Sequence, residues 1–179
     1  PDGTIVVAKS LSPSITVQMD PDVVRGIATD EGTRTSHWVI LARSLGIPTV
    51  CGLGSVSSYA STGQDVIVDG SIGRVVLDPD DHNRKIFKVR ERQIEKSEDE
   101  IEEVAQLECL TVDEQPVALR ANLDLPNEAE RAKKYGAQGV GLFRTEFLVV
   151  GRNQIPSEDD QYEAYKQVVS TFPKQVVTV

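Results

Sequence analysis

The apolar positions of this 179-residue chain change their spacing twice, and each change predicts a different kind of structure. Over the first eighty residues the apolar runs are short, rich in Val and Ile, and bounded by Gly, Pro, Asp or Ser. That pattern predicts strands over residues 4–8, 23–28, 48–51, 65–68 and 73–77. Residues 36–45 carry the run Trp38, Val39, Ile40, Leu41, Ala42, followed by Gly46 and Pro48, which predicts one helix with a sharp stop. A second short helix is predicted around 56–61, and Asp69-Gly70 predicts a tight hairpin turn between the last two strands. Residues 1–80 therefore read as one α/β or α+β unit.

From 81 to about 107 the pattern turns helical and strongly polar. Ile94, Ile101, Val104 and Leu107, spaced by seven and three, form a narrow apolar stripe on a long helix. Like charges four apart (Lys88 and Arg92, Glu91 and Glu95, Glu98 and Glu102) weaken that helix, so it is expected to need tertiary support. Residues 81–113 read as a helical linker. After Gln115-Pro116 strands and helices alternate: strand 117–122, helix 127–135 closed by Gly136, strand 139–143, helix 157–172, and a third strand from 175. Ser157 and Asp160 stand where a capping box would start the longer helix. Alternation at this spacing predicts parallel βα units over 114–179. The last segment is β-prone and uncovered, so the sequence is expected to be a fragment of a longer protein, cut within its second domain.

Composition narrows the function classes. Charged residues at 26% and hydrophobic residues at 39% belong to a globular chain, and the apolar runs are too short to span a membrane. A net charge of −9 argues against nucleic acid as a partner, since gripping phosphates needs clustered Lys and Arg. Cys51 and Cys109 lack metal-ligand spacing, suit a reducing cytoplasmic compartment, and are expected to be inert buried thiols.

Two stretches carry candidate chemistry. Thr35 or Ser36 is placed to cap the helix through its hydroxyl, leaving His37 in the first turn. Free N–H groups and the positive end of the dipole there would stabilise a phosphoryl group on the imidazole. The hydroxyls of Thr33, Thr35 and Ser36 and the charge of Arg34 are candidate phosphate contacts. Residue spacing alone leaves open a capped helix whose histidine is merely on the surface. The second stretch runs Gly139-Val140-Gly141-Leu142-Phe143-Arg144-Thr145-Glu146-Phe147-Leu148, a strand ending in an arginine. A strand-end arginine suits a phosphate or carboxylate, and an Arg-x-Glu pair also suits a structural ion pair.

The string Asp30-Glu31-Gly32-Thr33-Arg34-Thr35-Ser36-His37, with Ala42-Arg43-Ser44-Leu45-Gly46-Ile47-Pro48 after it, resembles the phosphohistidine domain of phosphoenolpyruvate-utilising enzymes. Within that group it is most similar to enzyme I of the bacterial sugar phosphotransferase system. The 139–148 string resembles the barrel motif of the same family, and its Phe147-Leu148 ending differs from the Glu-His-Met of the dikinase relatives. The family motif usually runs Gly-Gly-x-Thr-Ser-His; Thr33 stands at its second glycine, so the loop conformation is where a departure is expected.

The resemblance implies a swivelling phosphohistidine domain, the helical linker, and the first βα units of an incomplete (β/α)8 barrel. It implies that His37 becomes phosphorylated from phosphoenolpyruvate and passes the group to a histidine-containing phosphocarrier protein. Arg144 would bind the phosphate of phosphoenolpyruvate. A Mg2+ ion, a second arginine and a catalytic cysteine are expected to be held beyond residue 179, and the full-length protein to be a homodimer through the rest of the barrel. The 179-residue chain alone is therefore expected not to turn over. Other relatives fit the same residues: a nitrogen-branch paralogue with a sensor domain, a pyruvate–phosphate dikinase or phosphoenolpyruvate synthase, or a phosphorylatable regulatory module.

Overall fold

The structure, a computed structural model, describes residues 3–149 and 155–179. The chain is mixed α/β and divides into two compact units, Pro1–Val89 and Arg90–Val179.

In the first unit β1 (Thr4–Ala8), β2 (Val24–Thr29) and β3 (Thr49–Val50) form a parallel sheet in that order. The central strand β2 is the most buried, with its last four residues inaccessible. Helix α2 (His37–Ser44) links β2 to β3 and buries Trp38, Val39, Leu41 and Ala42 on one face. Of these, Trp38, Val39 and Ala42 pack with Ile27 and Ile47 into the core of the unit. The period of the apolar run thus decided which face of the helix meets the sheet.

A single helical turn, α1 (Pro13–Thr16), was not predicted. Its signal was Ser12-Pro13: the Ser12 hydroxyl accepts the Ile15 N–H, and proline suits the first helical position. The short helix α3 (Val56–Tyr59) lies within the predicted range. Strands β4 (Val66–Asp69) and β5 (Arg74–Leu77) pair as an antiparallel hairpin. Its connection is four residues, 70–73, rather than a tight Asp-Gly turn. The Asp69 carboxylate accepts the N–H groups of Ser71 and Ile72, organising a longer turn that Gly73 closes at φ +68°.

Helix α4 (Asp81–Ala105) runs for 25 residues and buries none of them. Its apolar stripe stays exposed, Ile101 at 53% and Val104 at 64%, so the expected packing support is not found among the described residues. Near its start Arg84 pairs with Asp65, and near its end Glu102 pairs with Lys134.

In the second unit β6 (Ala121–Leu123), β7 (Gly139–Phe143) and β8 (Val176–Val177) are parallel and adjacent in sequence order. Helices α5 (Glu128–Lys134) and α6 (Glu158–Thr171) connect them. The core joins Leu123, Val140 and Phe143 from the sheet to Ala129 of α5 and Val168 of α6. Tyr165 adds an edge-on ring contact to Phe143, with centroids 6.1 Å apart. The predicted capping box forms: Ser157 Oγ accepts the Asp160 N–H, and the Asp160 carboxylate accepts the Ser157 N–H. The strand expected over 117–122 begins only at Ala121. Val117 instead donates its N–H to the Cys109 carbonyl, pairing with the preceding loop rather than with the sheet. Cys51 and Cys109 are both free thiols and half-buried rather than buried.

Candidate functional site

His37 is the first residue of α2 and is exposed. Ser36 occupies the N-cap position, yet its hydroxyl makes no cap hydrogen bond, contrary to the expected capping. Ser36 Oγ instead accepts the N–H of Thr33 at 3.0 Å, closing the loop on itself. The helix-initial N–H groups are therefore not consumed by the cap side chain, and no acidic residue stands in the first turn. The Thr33 hydroxyl lies 3.1 Å from that of Thr35 and 3.3 Å from that of Ser36. Three hydroxyls thus cluster immediately before His37, with the exposed Arg34 in the same loop. Such an edge offers an anion backbone N–H donors, rotatable O–H donors and a positive dipole end.

Threonine at position 33 adopts no left-handed backbone; the unusual conformation belongs to its neighbour. Gly32 has φ +116°, and a Cβ there would approach Trp38 Cζ2 to 3.0 Å. Thr33 is not among the described non-glycine residues with positive φ.

One residue upstream of that loop, Asp30 is buried at 8% exposure. Its Oδ1 accepts the Ser57 N–H at 2.8 Å and its Oδ2 accepts the Ser57 hydroxyl. Those hydrogen bonds, foremost the one from the hydroxyl, hold the carboxyl below its ordinary value of 3.8.

Arg144 follows β7 directly and belongs to the other unit. Its ion partner is Asp124, at the end of β6, and not the Glu146 of the Arg-x-Glu string; Nε and Oδ1 are 2.8 Å apart. The N–H does not point at that oxygen, so neither buried atom has a hydrogen-bond partner among the described residues, and the contact is Coulombic. Burial raises the Asp124 carboxyl above 3.8, the Arg144 charge opposes the rise, and Glu128 and Glu146 add to it. Glu128 Oε2 accepts the N–H groups of Asp124 and Leu125, at 2.6 and 2.8 Å, and so fixes the loop leaving β6. The Arg144 side chain is still 40% exposed.

Family comparison adds to this geometry. A family model described as "PEP-utilising enzyme, mobile domain" matches residues 1–73, and one described as "PEP-utilising enzyme, PEP-binding domain" matches residues 98–179. The chain belongs to the PEP-utilising enzymes. It is 36% identical over 178 residues to a phosphoenolpyruvate-protein phosphotransferase of Staphylococcus carnosus, covering 99% of this chain and 31% of that protein. It is 38% identical to one of Bacillus sp. (strain S), covering 98% of this chain and 30% of that protein. An NMR solution structure of Enzyme I aligns with 45% identity and a TM-score of 0.49, over 52% of this chain and 38% of that one. The chain thus spans about a third of the length of these curated relatives.

Among the PEP-utilising enzymes, His37 falls in the stretch matched to the mobile domain and Arg144 in that matched to the PEP-binding domain. Sequence reasoning missed Asp30, Ser57, Asp124 and Glu128. Asp30 and Ser57 are 27 residues apart, a separation with no local signature. Asp124 carried a weak signal, an acid between a strand and Pro126. Among the described residues no group of three or more His, Cys, Asp or Glu side chains could hold a metal ion. No helix among them is long and apolar enough to cross a membrane.

Proposed function

We propose that this chain supplies the phosphoryl-accepting histidine and part of the substrate site of a phosphoenolpyruvate-protein phosphotransferase. One observation carries the reading: an exposed His37 at an anion-receptive helix start, flanked by three hydroxyls, in a chain similar throughout to such phosphotransferases. The division into a phosphohistidine domain over 1–80, a linker over 81–113 and a barrel segment over 114–179 belongs to the same proposal. Parallel neighbours β6, β7 and β8 with helices between them suit the opening of a (β/α)8 barrel. Arg144 then sits at the strand end where such barrels bind ligands.

In the proposed reaction the His37 imidazole nitrogen remote from the backbone attacks the phosphorus of phosphoenolpyruvate. The N–P bond forms as the bond from phosphorus to the enol oxygen breaks. The enolate leaves with that electron pair and is protonated on carbon to give pyruvate. Arg144 takes up charge on the phosphate oxygens, and the N–H and hydroxyl donors before His37 receive the transferred group. The phosphoryl group then passes to a histidine on a phosphocarrier protein. Mg2+ would supply further charge neutralisation; no residues described here fit it, so no step of this chain runs through it.

The test uses the full-length protein with labelled phosphoenolpyruvate and a phosphocarrier. Acid-labile, base-stable label should appear on His37 and move to the carrier, and His37→Ala should take up none. Absence of label from the wild type, or a requirement for ATP, overturns the reading.

A further inference from the structure

The loop that presents His37 is held from outside by a charged clamp. Residues 53–57 are stitched to the end of β2 by four hydrogen bonds. Leu53 N–H donates to the Thr29 carbonyl at 3.1 Å and Gly54 N–H to the Asp30 carbonyl at 2.9 Å. Ser57 supplies the other two, donating its N–H and its hydroxyl to the two carboxylate oxygens of Asp30. The two segments also touch closely: a Cβ on Gly52 would sit 3.3 Å from the Gly32 carbonyl oxygen. On the opposite side Glu31 N–H donates to the Lys9 carbonyl at 2.9 Å. Residues 31–36 therefore leave a strand end whose position and direction are set on both sides before the chain reaches His37.

The carboxylate does more than join the two segments. Burial costs the Asp30 carboxylate desolvation, which the Ser57 hydrogen bonds and, more weakly, the Lys9 charge offset. A carboxylate that takes two directed bonds from one serine fixes both separation and orientation, which apolar contact does not. Phosphoryl transfer depends on that kind of control, because the attacking nitrogen, phosphorus and leaving oxygen must lie nearly in line.

We propose that Asp30 and Ser57 act as positioning residues for His37, holding its loop so that the imidazole meets the phosphoryl group in line. The proposal rests on the reading of His37 as the phosphoryl acceptor. Its mark is a loss in the transfer step at constant substrate affinity, since phosphoenolpyruvate contacts neither residue in this scheme. The ionised state of Asp30, favoured by the Ser57 bonds, keeps the clamp engaged at neutral pH.

The experiment measures single-turnover transfer from labelled phosphoenolpyruvate to His37 in the full-length protein, with the melting temperature of each variant. Ser57→Ala should slow transfer about tenfold with an unchanged half-saturating phosphoenolpyruvate concentration. Ser57→Thr, which keeps the hydroxyl, should restore the rate to within about twofold. Asp30→Asn should slow transfer like Ser57→Ala, and it decides the matter if Ser57→Ala does not fold. A purely structural role would lower the melting temperature and leave the rate well below it intact; wild-type rates in the folded variants overturn the proposal. So does Ser57→Thr as slow as Ser57→Ala. Label retained by His37→Ala would instead overturn the assignment of His37, on a separate readout.

Discussion

Arg144 Nε and Asp124 Oδ1 stand 2.8 Å apart across the ends of two neighbouring parallel strands, paired by charge but not by a directed hydrogen bond. The pair sits above Leu123 and Phe143, whose burial anchors both strand ends. Asp124 thus restrains the guanidinium, while the exposed part of Arg144 remains open to an incoming anion. A planar fork held on one edge is suited to bidentate recognition of phosphate or carboxylate by the other.

In the full-length protein, Arg144→Gln should raise the half-saturating phosphoenolpyruvate concentration by roughly ten- to a hundredfold, the range expected for losing hydrogen bonds to a charged group. Arg144→Lys should fall between Gln and wild type, because lysine keeps the charge and loses the fork. Steady-state kinetics of pyruvate formation reads both. A wild-type value in Arg144→Gln would remove Arg144 from the substrate site.

Asp124 carries a penalty as well as a restraint. Its carboxyl is raised above 3.8 in the folded chain, mainly by burial, so folding favours the protonated form. The associated stability is fully present below 3.8 and is lost as pH rises through the raised folded value. Asp124→Asn should accordingly be no less stable than wild type at pH ~7, with wild type gaining on it as pH falls through the raised folded value and the gain complete by pH ~4. Urea unfolding at the two pH values measures the difference, and a variant much less stable at neutral pH would count against it.

Asp30 behaves in the opposite sense. The Ser57 hydrogen bonds depress its carboxyl, so its contribution is present above 3.8 and is lost as pH falls through the lower folded value. Ser57→Ala removes the main cause, and its acid-unfolding midpoint should lie at a higher pH than that of wild type. Circular dichroism during acid titration reads the shift; coincident midpoints would contradict it.

Gly32→Ala should destabilise the chain by about 1–3 kcal/mol, since a Cβ meets both a left-handed backbone and the Trp38 ring. Thr33→Gly, one position on, should change stability by less than about 1 kcal/mol, because Thr33 needs no such backbone. Thermal or denaturant unfolding of the two variants compares them directly, and equal losses would reassign the special conformation.

Much of this was legible in order along the chain. The apolar spacing of Trp38 to Ala42 specified α2 and its buried face, the Gly139–Phe143 run specified β7, and Ser157 with Asp160 specified how α6 begins. These are local properties: a helix or strand face is a matter of period, and a cap is settled within four residues. His37 and Arg144 were legible as candidates for the same reason, each standing at the end of a recognisable element. What folding alone decided was who meets them. Ser36 turned to Thr33 instead of capping its helix, Asp30 was bound by a serine 27 residues away, and Arg144 took Asp124 in place of the glutamate two residues along. The Ser36 contact is a local choice between two loop geometries; the other two partners are distant in sequence and adjacent in space, and no period along the chain encodes that distance.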